Sequence, residues 1–274
     1  MPSLAETLFP CSRDPGPPDD TKLAIEHRRF RGRVELHVHH HELEAARREG
    51  EPAIAVFPLE FDALGELARA AGLLLPEIVF VQLDRELAAS ELDPEIFAPL
   101  EASAGLNLGL DYLPGSITFD PVAGPLPDAV TASRIVLFDA FVTNVDRTPR
   151  NTNLLCWHAQ LWLIDHGASL YFHHGWRPTD RLEGSRDPFV EVREHVLLPW
   201  ATALGEAAAH LGAVFTDELF DRIVEQIPAS WLASDHAFED EADHRAAYVT
   251  WLRARAQALP LLLEEAERAH AQLV

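Results

Sequence analysis

Apolar and polar residues alternate or recur at helical spacing along much of this 274-residue chain. Residues 33–39 alternate polar with apolar side chains, and residues 53–57 and 77–83 are short apolar runs. These three segments are predicted strands. Between the second and the third, residues 61–71 carry apolar side chains at helical spacing and stop at Gly72, a pattern that predicts a helix.

The rest of the chain is predicted to be mainly helical. Helical spacing covers residues 95–103, 130–142, 196–211, 217–226 and 245–271. Arg134 and Asp139 are polar exceptions in the otherwise apolar segment 130–142. The first 20 residues hold five prolines and are predicted to be an irregular lead-in.

A short hairpin is predicted directly after the apolar helix. Two apolar runs, residues 153–157 and 161–165, flank a polar stretch around Ala159. A turn centred on Ala159 would set Asn153 opposite Asp165 at the open end of the hairpin. The loop before the hairpin therefore meets Asp165 at one edge.

That loop carries the residue types that phosphoryl transfer needs. The reaction requires a carboxylate near the attacking hydroxyl and oxygen ligands that hold Mg²⁺ against the phosphates of ATP. Asp146, Asn151 and Asp165 supply these groups at suitable positions. Arg147 and Arg150 lie beside them and would either steer phosphate or hold Asp146 in place.

A simpler interpretation treats the asparagines as turn residues. Asn144, Asn151 and Asn153 all suit turns, because an asparagine side chain hydrogen-bonds its own local backbone. The combination of Asp-x-x-x-x-Asn, a hairpin and a following Asp is harder to explain in that way, so ancestry in a nucleotide site is favoured.

At these residues the chain resembles the HipA-like kinases, and more widely the protein-kinase-like superfamily. Residues 67–83 and 102–115 are also similar to the helix, strand and hinge of that family, so the likeness covers roughly residues 60–200. The resemblance implies a bilobal α+β fold of the protein-kinase type. Residues 21–107 would form a small strand-containing N-lobe after the lead-in of residues 1–20, and residues 108–274 a mainly helical C-lobe that carries the catalytic loop and hairpin.

The resemblance also implies ATP and Mg²⁺ as cofactors and a role for each site residue. Asp146 would be the catalytic base, and Asn144 and Arg147 would support its loop. Asn151 and Asp165 would bind the nucleotide by holding Mg²⁺. The acceptor would be a Ser or Thr hydroxyl on a protein, with a small-molecule hydroxyl as the other candidate that the sequence leaves open.

One feature of the family is missing. Its members carry a Val-x-Lys-Phe strand with a Gly-rich segment, and the lysine grips the phosphates of ATP. The chain has a single lysine, Lys22, which lies far from the expected place, and the corresponding residues 42–58 contain Arg47 and Arg48 but one glycine. Two hypotheses follow: an active kinase with a rearranged phosphate grip, or a pseudokinase that serves as a regulatory binding module.

Composition narrows the function classes. The net charge of −22 argues against direct binding of DNA or RNA, which requires a basic face. Residues 131–200, with 7 basic against 8 acidic side chains, are nearly neutral and suit a site that receives ATP. No apolar run is long enough to span a membrane, the first residues lack the pattern of a signal peptide, and the two cysteines form no framework, so a cytoplasmic protein is expected.

Two groups of histidines remain. His37 and His39 share one face of a predicted strand at a spacing that suits Zn²⁺, but no third ligand is fixed, and an exposed polar strand end is favoured. His173 and His174 follow Asp165 where a substrate loop would run, and solvated loop histidines are the commoner case.

Overall fold

The structure, a computed structural model, describes residues 26–30, 33–38, 55–57, 61–83, 104–123, 125–170, 172, 176, 181–232 and 238–273. Within these ranges the protein is an α+β fold with strands gathered in the first half and helices in the second. The lead-in of residues 1–20 and the helix predicted at residues 95–103 lie outside the described residues.

The larger sheet has five strands: β1 (Glu26–Phe30), β2 (Arg33–Val38), β3 (Ala55–Phe57), β4 (Ile78–Leu83) and β5 (Gly105–Leu110), in the spatial order β1-β2-β4-β5-β3. The pairing is antiparallel except between β2 and β4. The three predicted strands are confirmed with slightly shorter bounds. Strand β1 had no clear periodicity and was not predicted.

Helix α1 (Phe61–Ala70) ends just before Gly72, as the sequence predicted. Gly72 takes a left-handed φ of 75° and donates its N–H to the carbonyl of Arg69, while Leu73 donates to the carbonyl of Ala68. This Schellman arrangement satisfies two end carbonyls of the helix. It turns the chain toward β4, and the turn itself packs against the second half of the protein.

Helix α2 (Ala129–Phe141) is the most deeply buried helix described around the site. The carboxylate of Asp128 caps it by accepting from the N–H of Thr131 at 2.9 Å. Its residues from Ile135 to Phe141 are all buried, including Asp139. The second half of α2 is therefore surrounded by protein on all sides.

The predicted hairpin is present but its register differs by one residue. Strands β7 (Leu154–Trp157) and β8 (Gln160–Leu163) pair so that Asn153 faces Ile164, not Asp165. The turn consists of only two residues, His158 and Ala159, which both take left-handed φ values of 46° and 59°. A two-residue turn of this kind usually carries Asn or Gly, so the residue types His and Ala do not predict it.

A third strand, β6 (Ile117–Thr118), pairs antiparallel with β7 and completes a small sheet. The amide N–H of Leu163 donates to the carbonyl of Leu74 at 2.8 Å, which ties this sheet to the turn that follows α1. The hairpin is thus fixed to both halves of the protein. Its position decides where the loop in front of it can lie.

The remaining described helices are α3 (Leu204–Val214), α4 (Asp217–Glu225), α5 (Ala229–Leu232), α6 (Glu241–Gln257) and α7 (Leu259–Ala271). The prediction for α4 is confirmed, with Thr216 as its N-cap. The helix predicted to begin at residue 196 begins at Leu204 instead, because the N–H of Val196 donates to Arg147 and Pro199 has no N–H to donate.

The single C-terminal helix predicted for residues 245–271 is two helices. Pro260 lacks the N–H that a continuous helix would use and clashes with the preceding turn, so the chain breaks at Ala258. The first of the two helices also begins earlier than predicted, with Asp240 as its N-cap. One core of buried side chains joins α1, α2, the hairpin and the C-terminal helices. Of the helices that the structure describes, none is both long and apolar enough to cross a membrane.

Candidate active site

The loop between α2 and β7 is shaped by its own side chains. Thr143 takes a left-handed φ of 56°, which reverses the chain after the helix. The buried amide of Asn144 donates to a carboxylate oxygen of Asp139 at 3.1 Å, and its side-chain oxygen accepts from the backbone N–H of Asp146 at 3.1 Å. Asn144 therefore connects the start of the loop to the core and orients the backbone of Asp146.

Two asparagine amides converge on the carboxylate of Asp146. Asn151 Nδ2 donates to Oδ2 at 2.6 Å, and Asn153 Nδ2 donates to the same oxygen at 3.2 Å. Asp146 is half-buried, so its carboxylate is held by these bonds yet open to solvent on one side. The structure thus brings Asn144, Asp146 and Asn151 together, as the sequence predicted.

Asn153 also links Asp146 to Asp165. Its amide reaches the backbone carbonyl of Asp165 at 3.5 Å, and its own φ of 47° is left-handed. Asp165 lies just beyond β8 with a φ of 50°, and its carboxylate accepts from the N–H of Gly167 at 3.3 Å. Two non-glycine residues in this rare conformation, side by side at the mouth of the hairpin, are typical of functional sites. Despite the shifted register, Asp146 and Asp165 share one neighbour.

The side chain of Arg147 supports the loop between α2 and β7 from the protein interior. It is almost completely buried and donates to both carboxylate oxygens of Asp139, and also to the carbonyls of Asn153 and Ile164. The guanidinium therefore does not contact the Asp146 carboxylate and does not face a phosphate. Of the two roles considered for the arginines, support of the loop is the one that this geometry favours, while Arg150 is exposed.

Asp139 and His195 belong to the site and were not predicted as part of it. The N–H of Leu197 donates to His195 Nδ1 at 3.0 Å, so the ring proton is on Nε2, which donates to Asp139 at 2.9 Å. Asp139 stood out in the sequence as a polar exception in an apolar helix. His195 gave no local signal, since it lies 56 positions further along the chain.

Burial and charge set the ionisation of this group. Burial alone would raise the pKa of Asp139, but the charge of Arg147 and the bond from His195 hold that pKa well below its usual range. Burial lowers the pKa of His195, although Asp139 opposes the shift. Burial, with the charge of Arg147, lowers the pKa of His166 to about 3, against the attraction of Asp139. A carboxylate, a guanidinium and two neutral imidazoles therefore lie under the loop at neutral pH.

The donor set in front of the loop fits Mg²⁺. Asp165 offers a carboxylate and Asn151 an amide oxygen, and Mg²⁺ is usually held by one or two carboxylates together with substrate phosphates and water. Among the described residues no group of three or more His, Cys, Asp or Glu side chains is arranged to bind a metal. A site completed by phosphates does not require such a group. The zinc hypothesis for His37 and His39 cannot be followed, because His39 lies outside the described residues.

Residues 42–58, which correspond to the family's phosphate-binding lysine strand, are only partly described. Lys22, Arg47 and Arg48 lie outside the described residues. Strand β3 pairs antiparallel with β5, which leads into the connection between the two halves. Strand β3, Ala55-Val-Phe57, contains no lysine, so this strand does not supply the cation that the resemblance implies.

The segment after Asp165 is anchored to α6 by aromatic side chains. Phe172 stacks on Trp251 with ring centroids 4.3 Å apart, and Trp176 packs edge-on against Tyr248 at 4.8 Å. Arg181 pairs with Asp243 at 2.8 Å. His173 and His174, which lie between the two aromatic anchors in the sequence, are outside the described residues.

Arg255 joins this segment to the end of α2. Its buried guanidinium donates to the carbonyls of Ala140 and Phe141 in α2, and to those of Gly184, Ser185 and Asp187 in the segment. Burial lowers its pKa to about 10, which leaves it charged at neutral pH. One side chain thus fixes the segment to the helix that delivers the catalytic loop.

A family model described as HipA-like kinase matches residues 62–258 of the chain. The match includes nearly all of α1, the loop with Asp146 and both hairpin strands, and it extends to the end of α6. No curated protein and no solved structure matches the chain.

Proposed function

The chain belongs to the HipA-like kinase family, and on that premise we propose that it transfers the γ-phosphoryl group of ATP to a Ser or Thr hydroxyl on a protein. The family implies kinase chemistry with ATP and a divalent metal in general terms. The identity of the acceptor and the roles of individual residues are parts of this proposal.

One observation carries the proposal: the amide of Asn153 touches both Asp146 and Asp165, while Asn151 touches Asp146 as well. A turn-forming asparagine would bond its own local backbone. Here the amides instead hold two carboxylate-bearing residues from different segments at one place. Phosphoryl transfer depends on that kind of fixed positioning.

In the proposed mechanism Asp146 accepts a hydrogen bond from the incoming hydroxyl and takes its proton as the oxygen attacks the γ-phosphorus of ATP, whose bond to the β–γ bridging oxygen breaks so that ADP leaves. The amides of Asn151 and Asn153 keep its carboxylate pointed in one direction, and Asn144 fixes its backbone. Asp165 and the oxygen of Asn151 would hold Mg²⁺. When bound, Mg²⁺ neutralises charge on the phosphate oxygens. Arg147 acts as a positioning residue through Asp139 and the carbonyl of Asn153.

A protein acceptor is favoured over a small molecule by the anchoring of the segment after Asp165. Phe172, Trp176 and Arg181 fix this segment to α6. A fixed segment that follows Asp165 in the sequence can receive an extended peptide, whereas a small molecule needs an enclosed pocket.

The alternative function is that of a pseudokinase, and the absence of a lysine and of a Gly-rich segment in residues 42–58 is the observation that favours it. Without a lysine on β3, phosphate neutralisation would have to come from Mg²⁺ or from another cation. The fully formed loop around Asp146 argues in the opposite direction, because that arrangement serves transfer and not nucleotide binding alone.

The test combines nucleotide binding with turnover. We expect MgATP to raise the midpoint of thermal unfolding of the wild-type protein, since a ligand at a hundred times its dissociation constant adds about 2.7 kcal/mol of stability. Asp165→Ala should lose this shift. Asp146→Ala should keep it and yet lose transfer of labelled phosphate to a mixture of Ser- and Thr-containing peptides.

The two functions give different results in this test. A Mg²⁺-dependent shift in the wild type without any transfer, on itself, on peptides or on small alcohols, would support the pseudokinase. Transfer that survives Asp146→Ala would contradict the assigned base. Transfer to small alcohols but not to peptides would contradict the protein acceptor while leaving the base in place.

A further inference from the structure

A cavity of about 430 Å³ lies between the turn after α1, the first half of α2 and the tip of the hairpin. Leucine and isoleucine side chains form much of its wall, among them Leu73, Ile135 and Leu161. Asp146, Asn151 and Asp165 do not line it. The cavity is therefore separate from the candidate active site, although it shares the hairpin with that site.

One side chain in the wall has a buried nitrogen atom without a hydrogen-bond acceptor. Arg134 reaches the cavity from α2, and its Nε is buried without a hydrogen-bond acceptor. Across the described ranges no acidic side chain pairs with this guanidinium. Arg69 provides the contrast, since it pairs with Glu66 at 3.0 Å. A buried donor without an acceptor is costly, so natural sites of this kind usually receive a partner.

The other charged side chain in the wall, Asp128, already has a hydrogen-bond partner. Asp128 accepts from the N–H of Thr131 at 2.9 Å as the cap of α2, and this bond lowers its pKa. The guanidinium is thus the charge in this cavity that remains for a ligand.

We propose that this cavity binds a small anionic molecule with an apolar body, whose carboxylate or similar group pairs with Arg134. A cavity of a few hundred Å³ that combines leucine and isoleucine side chains with polar groups, Arg134 among them, has the size and chemistry of small-molecule sites. The planar guanidinium suits a carboxylate, which it binds through two parallel hydrogen bonds. The apolar body of the ligand then packs against the leucine side chains of the wall.

The position of the cavity gives such a ligand a route to the active site. Leu161 and Leu163 of β8 line it, and Asp165 follows two residues later. The N–H of Leu163 also donates to Leu74, another wall residue. A ligand that fills the space would brace the hairpin whose far end carries Asp165.

Binding is tested with naphthoate and naphthol, an anionic and a neutral probe of nearly the same shape, by titration calorimetry on the full chain. We expect naphthoate to bind the wild type, and Arg134→Gln to weaken it by about tenfold or more while naphthol affinity stays the same. Arg222→Gln, which removes an exposed arginine on α4, is the matched control and should change neither affinity. Thr131→Phe, which keeps the backbone N–H that caps α2, should fill the cavity and abolish both.

Two results would overturn the proposal. The first is equal naphthoate affinity in the wild type and in Arg134→Gln, which would mean that the arginine does not recognise the anion. The second is the absence of naphthoate binding to the wild type at millimolar concentration. Neither result depends on kinase activity, so failure here is distinct from failure of the proposed function.

Discussion

His195 Nε2 donates a hydrogen bond to Asp139 at 2.9 Å, inside a core where both side chains are nearly inaccessible to solvent. Arg147 contacts the same carboxylate. The charge of Asp139 is therefore balanced by one cation and stabilised by two neutral donors, His195 and Asn144. The catalytic loop is held in place by this group, because Asn144 also donates to Asp139.

Breaking this buried pair should be far more damaging than replacing it. We expect Asp139→Asn to lower the free energy of unfolding by about 3–5 kcal/mol, because Arg147 is left as an uncompensated buried charge. The double variant Asp139→Leu with Arg147→Met should lose less than Asp139→Asn. Urea unfolding measures both. Asp221→Asn, which removes a surface partner of Arg253, is the control and should cost no more than about 1 kcal/mol.

Much of the site could be predicted from the sequence, and there are physical reasons why the rest could not. Asp146, Asn151 and Asp165 are close in sequence or joined by a short hairpin, so spacing alone brings them together. The register of that hairpin depends on His158 and Ala159, which both have left-handed φ values. Histidine and alanine are not the residue types that predict such a turn.

Long-range contacts account for the other omissions. No local pattern connects Asp139 to His195, or Arg255 to Ala140, because each contact is made by packing between distant helices. The sequence did offer one indirect signal. A lone carboxylate in an apolar helix must find a partner, and Asp139 has three.

His166 should make stability depend on pH. Burial lowers its pKa to about 3 in the folded protein, against an ordinary value of 6.5. As pH falls below 6.5 the unfolded chain takes up the proton first, so the stability contributed by the neutral imidazole is complete above that pH and declines toward pH 3. At pH 5 the unfolding free energy should fall by about 1.4 kcal/mol per pH unit more in the wild type than in His166→Phe.

The check is a series of urea titrations between pH 4.5 and 7.5, a window set by these two pKa values. The curves of wild type and His166→Phe should converge in slope above pH 7 and separate below 6. Parallel curves over the whole range would contradict a buried neutral histidine. His195 should add a slope of the same sign in both proteins, because burial lowers its pKa as well.

Asn153 should matter for catalysis more than for stability. Asn153→Gly removes the amide that touches Asp146 and Asp165 but suits the left-handed backbone, which has a φ of 47°. We expect an unchanged midpoint of thermal unfolding within about 2 °C and a fall in kcat of about 10²-fold, since misplaced catalytic groups typically cost that much. Asn153→Ala, with the same loss of the amide, should in addition lower the midpoint. Full activity in Asn153→Gly would show that Asp146 does not need this amide.

Arg255 should be essential to the fold of the segment after Asp165. Arg255→Met removes the donor to five carbonyls, some of them buried, and we expect a loss of about 3 kcal/mol or more in unfolding free energy. Arg253→Met on the same helix, which breaks only surface ion pairs, should cost about 1 kcal/mol or less. Limited proteolysis should cut Arg255→Met between residues 181 and 189 sooner than the wild type. Equal cleavage of the two would argue against its anchoring role.

The hairpin turn is strained, and relieving the strain should stabilise the protein without touching the site. Ala159 has a left-handed φ of 59° and is exposed. Because this conformation costs a non-glycine residue about 1–2 kcal/mol, Ala159→Gly should raise the unfolding free energy by about 1 kcal/mol after the entropy that glycine adds to the unfolded chain. Ala209→Gly, at an exposed position of α3, should have the opposite sign and a similar size. Thermal and urea unfolding of both variants measure the difference, and a destabilised Ala159→Gly would mean that the turn does not adopt the two-residue left-handed form that sets the hairpin register.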